Sequence, residues 1–225
     1  MTSAAFEMDP SRLDSAAPTE MSVLSGALLD LAAPDWQAVA LTDIAHALSV
    51  LPRWNGMRRR QISVLEHSLA VWAAAPPALK LEALLHDAHE AYTGDITRPM
   101  QRAIAFHAPD GARAIKRIQH RLDVAIARRV ITDSGASVGL IELEAEILAE
   151  SMRDGPLLAV DDRVLRAEFA EDQPEAVEAW ERETWDREYR RRGAVAAWLA
   201  AVPFECLKRY ARESTEPSRT GEEKP

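Results

Sequence analysis

A single cysteine, Cys206, excludes any intrachain disulfide and fits a reducing compartment. It stands in the apolar context PFECL, where a buried, inert thiol is expected. No run of eighteen apolar residues is present, so no membrane-spanning helix is predicted. The acidic, proline-bearing N-terminus has no signal-peptide pattern, and a cytoplasmic protein without a membrane partner is the expectation. Basic charge is also in short supply. Against 36 Asp and Glu the chain sets 27 Lys and Arg, for a net charge of −9 and a pI near 5.2. A nucleic-acid groove needs a concentrated basic face, so no nucleic-acid partner is expected. The exceptions are Arg58-Arg59-Arg60 and Arg190-Arg191-Arg192. The second reads as a solvated helix end; the first lies close to the chemistry below and can attract phosphate.

What is present is helical patterning. With 225 residues, 47 % hydrophobic and 28 % charged, the composition suits one globular domain with a sizeable core. Residues 1–20 and 213–225 are polar and aperiodic and read as disordered tails, leaving a helical bundle over 21–212. A short hairpin is suggested around Leu28 to Leu31 and Ala38 to Leu41. Thr42-Asp43 opens a helix that Pro52 ends. Ser63-x-x-Glu66 is a capping box at the head of another, which Pro76-Pro77 breaks. The spacing of Leu81, Leu84, Leu85, Ala88 and Tyr92 predicts a helix from about 78 to 93, capped by Gly94, with Pro99 preventing continuation. Further helices are expected at about 111–130, 138–153, 156–170, 175–191 and 194–212. The fold class is therefore all-α, an antiparallel bundle with short connections and an optional N-terminal hairpin. Trp180, Trp185, Tyr189 and Trp198 are expected to pack its last helices.

Inside the 78–93 pattern, His86-Asp87 sets an imidazole and a carboxylate where a soluble helix would place core. At 100° per residue the two point in neighbouring directions and can straddle one ion. Glu90, three residues after Asp87 and four after His86, lies on the same side and can reach a water held there. Asp161 is the second signal. It falls four residues after Leu157 and four before Leu165, in the middle of an apolar face. A buried carboxylate needs a cation, so Asp161 either binds a metal or pairs with an arginine. Its neighbour Asp162 is rotated toward solvent and reads as surface. His67 alone would be structural; combined with His86, Asp87 and Asp161 it completes two imidazoles and two carboxylates. That mixed set suits one divalent ion of Mn, Co, Fe, Ni or Zn and leaves positions for water. His46, His107 and His120 have no partner at ligand spacing. His89, one turn from His86, is either structural like these or able to hydrogen-bond a phosphate or a carboxylate behind the site.

His67, His86-Asp87 and a distant Asp161 resemble the H…HD…D signature of HD-domain phosphohydrolases. Five blocks narrow the resemblance: DIAHALS at 43–49, RWNG at 53–56, SVLEHS at 63–68, ALLHDAHEAYTGDITRP at 83–99 and VDDRVLRAE at 160–168. They resemble the bacterial and prophage HD-domain 5′-deoxynucleotidases over roughly residues 21–170. The resemblance implies that His67, His86, Asp87 and Asp161 are metal ligands. It implies that Glu90 and Asp95 are catalytic acids handling the attacking water and the leaving oxygen. Arg53 and Trp54 match residues that contact phosphate and the sugar or base. Relatives commonly carry Phe at the Trp54 position and His at the Met57 position. The implied activity is metal-dependent hydrolysis of deoxynucleoside 5′-monophosphates, with Asp95 favoured as the acid, and dimeric relatives suggest a homodimer. Two rivals remain. A deoxynucleoside triphosphate hydrolase would use the same ligands and recruit Arg58, Arg59, Arg60 and Arg98. A non-catalytic bundle would bind a nucleotide or a protein.

Overall fold

The computed structural model describes residues 19–58, 61–135, 140–153, 155–171 and 187–213. The chain enters through a two-stranded antiparallel hairpin, β1 (Glu20–Ser22) and β2 (Leu28–Asp30), with Met21 opposite Leu29. The strand partner thus differs from the expected one. Residues 38–41 do not pair with β2: Ala38 closes a 3₁₀ turn in which the Asp35 side chain caps the Gln37 N–H. Glu20, assigned to a tail on composition, belongs to β1.

All else of regular form is helical: α1 (Leu41–Val50), α2 (Val64–Ala74), α3 (Lys80–Leu85), α4 (Glu90–Thr93), α5 (Arg98–His107), α6 (Pro109–Ser134), α7 (Ile141–Ser151), α8 (Gly155–Glu171) and α9 (Arg187–Glu213). The capping box that opens α2 is formed in both directions. Ser63 Oγ accepts the Glu66 N–H, and Glu66 Oε2 accepts the Ser63 N–H at 2.8 Å. One core joins Leu29, Ile44, Leu48, Leu65, Leu84, Leu85, Leu122, Ile126, Leu148 and Trp198. Helix α9 packs against α1, α3 and α6, while α8 covers α2. Cys206 is buried on α9, as its context suggests. Among the described residues no helix is long and apolar enough to cross a membrane.

Three expectations are corrected. Residues 98–107 form α5, with Pro99 in its first turn, where the missing N–H costs nothing. The last described helix runs unbroken through Gly193, so no boundary separates 187–191 from 194–212. Trp180, Trp185 and both expected tails, apart from Thr19, Glu20 and Glu213, lie outside the described residues, and nothing of Tyr189 beyond its place in α9 is described.

The third correction bears on the site. The helix expected from 78 to 93 is not continuous: residues 86–89 form a turn between α3 and α4. Dihedrals at His86 and His89 stay helical, but the bonds tighten to three-residue steps. Ala88 N–H donates to Leu85, Glu90 to Asp87 and Ala91 to Ala88. The carbonyls of Ala83 and Leu84, which a continuous helix would use internally, accept side-chain donors. His86 Nδ1 lies 2.9 Å from the Ala83 oxygen, and the Trp198 indole N–H lies 2.9 Å from that of Leu84. The turn is therefore held by one local and one tertiary side-chain bond, and it carries the His-Asp pair.

Candidate metal centre

The capping box sets His67 in the first turn of α2, facing inward and wholly buried. Its Nδ1 lies 2.7 Å from Glu168 Oε1, and a carboxylate only accepts, so Nδ1 carries the hydrogen. His86 Nδ1 likewise donates to the Ala83 carbonyl. Each neutral ring is thereby left with a bare lone pair at Nε2, the tautomer a metal requires.

These lone pairs converge. Asp87 Oδ2 lies 3.1 Å from His86 Nε2 and 3.7 Å from His67 Nε2. Donor atoms of His67, His86 and Asp87 all fall within 4.8 Å of one another. Asp161 stands beside this set: its Oδ1 is 2.9 Å from His67 Nε2, while Arg98 holds its Oδ2 at 3.0 Å. The arginine pairing expected as one alternative for Asp161 is present at Oδ2, while Oδ1 faces the donor set. Both Nε2 atoms and Asp161 Oδ1 are buried without an aligned hydrogen bond. Three buried acceptors facing one point repel unless a cation lies between them. Bonds of about 2.0–2.2 Å around one ion put neighbouring donors about 3.0–3.4 Å apart, close to the separations here. The residues fit a divalent ion.

Charge distribution agrees with that geometry. Burial works to raise the Asp87 carboxyl, but His86, His67 and Arg53 outweigh it and hold it well below the carboxylate range. Burial also opposes ionisation of Asp161, which contact with His67 and His86 overcomes. For His86 burial disfavours the cation, yet Asp87 prevails and its affinity for a proton rises. Glu90 moves the other way, pushed well above its ordinary value by burial and by Asp87 and Asp95. Asp95 is raised by burial, against the opposing Trp54 N–H and Arg53.

One wall of the site comes from the RWNG segment, which touches α8 through Arg53 and Trp54. Trp54 and Asn55 adopt left-handed backbone (φ 57° and 53°), followed by Gly56 at 71°. Such a run in non-glycine residues is strained and needs outside support. Asp95 Oδ2 supplies it by accepting the Trp54 N–H at 2.7 Å. Arg53 Nη1 is 3.4 Å from Asp87 Oδ2, and its Nε is 3.4 Å from Glu168 Oε2. Trp54 meets Phe169 edge to face at 5.3 Å, with the Arg58 guanidinium 3.5 Å over the Phe169 ring. Together Arg53, Trp54, Asp87, Glu90, Asp95, Arg98 and Asp161 line a polar cavity of about 110 Å³. A larger hollow of about 550 Å³ lies against α6 and contains none of them; there His120 pairs with Glu146, Arg128 pairs with Glu142, and Arg121 donates to the Ala32 carbonyl.

Glu168 was not singled out from sequence, although it follows Asp161 by seven residues on the same helix face and orients both His67 and Arg53. Asp123 was also missed. It is the carboxylate partner of His89, at 2.9 Å from Nδ1. Asp162, half exposed, is paired with Arg98 at 2.7 Å. Met57 is 86 % exposed and does not line the cavity, so its departure from the relatives' histidine leaves the wall unchanged.

No family model matches the chain. Over 91 residues it is 43 % identical to an uncharacterized protein of Rhodobacter capsulatus, covering 36 % of this chain and 46 % of that one. Over 124 residues it is 31 % identical to the uncharacterized protein YfdR of Escherichia coli, covering 55 % of this chain and 64 % of that one. The matched region thus spans less than two thirds of either relative.

Proposed function

We propose that this protein is an HD-domain, metal-dependent phosphohydrolase that converts deoxynucleoside 5′-monophosphates to deoxynucleoside and phosphate. One observation carries the reading. The Nε2 atoms of His67 and His86, without an aligned hydrogen bond, meet Asp87 and Asp161 beside a cavity that also holds a guanidinium and the carboxyls of Glu90 and Asp95.

His67, His86, Asp87 and Asp161 would hold one divalent ion. When bound, it supplies Lewis acidity toward a phosphoryl oxygen and makes water a better nucleophile at neutral pH. The other roles belong to the chain. Arg53, fixed between Asp87 and Glu168, offers its guanidinium to the phosphate. Glu90, deep in the cavity beside Asp87, takes the proton of the attacking water. Asp95 has Oδ2 engaged by Trp54, and its other oxygen delivers a proton to the departing 5′ oxygen. Trp54 presents an indole face to the sugar or base.

A monophosphate fits the charge available. Of the two arginines in the cavity, Arg98 is held closely, at 3.0 Å from Asp161 and 2.7 Å from Asp162, whereas the contacts of Arg53 with Asp87 and Glu168 are longer, at 3.4 Å each, which makes Arg53 the readier donor to substrate. The Arg58 charge lies over the Trp54 and Phe169 rings. The test is product analysis with Mn²⁺- or Co²⁺-loaded protein on dAMP and dATP. Orthophosphate from dAMP with dATP untouched supports the reading. Triphosphate released from dATP moves the assignment to the triphosphate hydrolase. Protein that binds metal but turns over neither substrate sinks the deoxynucleotidase reading.

A further inference from the structure

Asp123 lies on α6, fully buried beside Leu122 and Ile126. A buried carboxylate without partners is strongly destabilising, and this one has two. His89 Nδ1 lies 2.9 Å from its Oδ1, and Arg153, just past α7, donates from Nε at 2.9 Å and from Nη2 to its Oδ2. One carboxylate thereby ties together the 86–89 turn, the 26-residue α6 and the end of α7. Neither His89 nor Asp123 lines the cavity, so the pair has no direct part in substrate contact.

His89 follows Asp87 by two residues and immediately precedes Glu90. The turn containing it connects a six-residue helix to a four-residue one, so little of its own backbone bonding resists rotation. We propose that Asp123 is a positioning residue for the metal centre: by holding His89 it fixes the rotation of the turn that presents His86, Asp87 and Glu90. The inference rests on the metal-centre reading above. Ligands on one short turn move together, and small displacements of a donor set are costly for binding. The competing account makes the same pair a brace between α6 and α7 with no bearing on the metal.

Titration calorimetry of the full-length protein with Mn²⁺, and the visible absorption of Co²⁺ in the same site, separate the two. Asp123→Asn is expected to weaken Mn²⁺ binding about 10- to 100-fold and to alter the Co²⁺ spectrum. Leu148→Ala, which removes buried packing between α6 and α7 without touching the network, should lower Tm yet keep Mn²⁺ affinity within about twofold. Should Asp123→Asn not fold, His89→Leu against His89→Gln replaces it. The leucine is expected to lose affinity, and the glutamine, which keeps an N–H donor, to recover most of it. Wild-type affinity in Asp123→Asn or His89→Leu overturns the inference and leaves the metal centre standing. So does a loss in Leu148→Ala equal to that in Asp123→Asn. A wild-type protein that binds no Mn²⁺ or Co²⁺ overturns both.

Discussion

His67 and Glu168, 101 residues apart in sequence, are joined by a 2.7 Å contact between Nδ1 and Oε1 that aims the other imidazole nitrogen at the donor cluster. The same carboxylate lies 3.4 Å from Arg53 Nε with its second oxygen, so one residue orients both a candidate metal ligand and the guanidinium proposed to meet phosphate. Glu168→Gln should lower Mn²⁺ affinity by about tenfold, because a neutral amide holds the imidazole less firmly. Calorimetric binding of Mn²⁺ measures this directly, and unchanged affinity would dismiss the orienting role.

Asp95 joins a proposed chemical duty to a structural one, acceptance of the Trp54 N–H. Asp95→Asn keeps an oxygen for the Trp54 N–H, so Tm should stay near wild type while kcat on dAMP falls about 100-fold or more. Asp95→Ala leaves that N–H unpaired in a strained turn and should cost about a further 1–2 kcal/mol in urea unfolding. Equal stability of the two variants would show that the hydrogen bond does not support the left-handed segment.

Metal-free protein should lose stability as pH rises. His86 is raised from its ordinary 6.5, so its contribution is fully present below that value and disappears as pH climbs through the higher folded one. Glu90, raised well above 4.5, acts in the same direction, since its ionisation is harder in the folded state. Asp87 and Asp161 are depressed and already ionised in this range, so they do not offset the loss. Thermal scans between pH 5.5 and 8 should show Tm falling without metal and the fall abolished by saturating Mn²⁺. A Tm that rises with pH in the metal-free protein would contradict the sign.

Trp198→Phe should destabilise the protein by about 1–3 kcal/mol, from a lost indole N–H and an orphaned Leu84 carbonyl. It should also weaken Mn²⁺ binding, because Leu84 lies two residues before His86. Urea unfolding and calorimetry on one preparation test both effects. Lost stability with native affinity would separate the indole from the site.

Much of this protein was legible from local chemistry. The Ser63–Glu66 box, Pro52, Pro76-Pro77 and Gly94 act within a few residues of themselves, so both ends of α2 and the stops of α1 and α4 follow from sequence. The spacing of Leu81, Leu84 and Leu85 marks the buried face of α3 for the same reason. Candidate ligands were visible because two imidazoles and two carboxylates stood at positions that apolar side chains should fill. The partners of those groups were not visible. Glu168, Arg98 and Asp123 look like ordinary charged helix residues until folding brings them to His67, Asp161 and His89. Nor does His-Asp-Ala-His contain a helix breaker, and its spacing reads as continuous helix. The break at 86–89 was decided by the tertiary structure, because it requires a donor for the Leu84 carbonyl, and that donor is Trp198, 114 residues further along the chain.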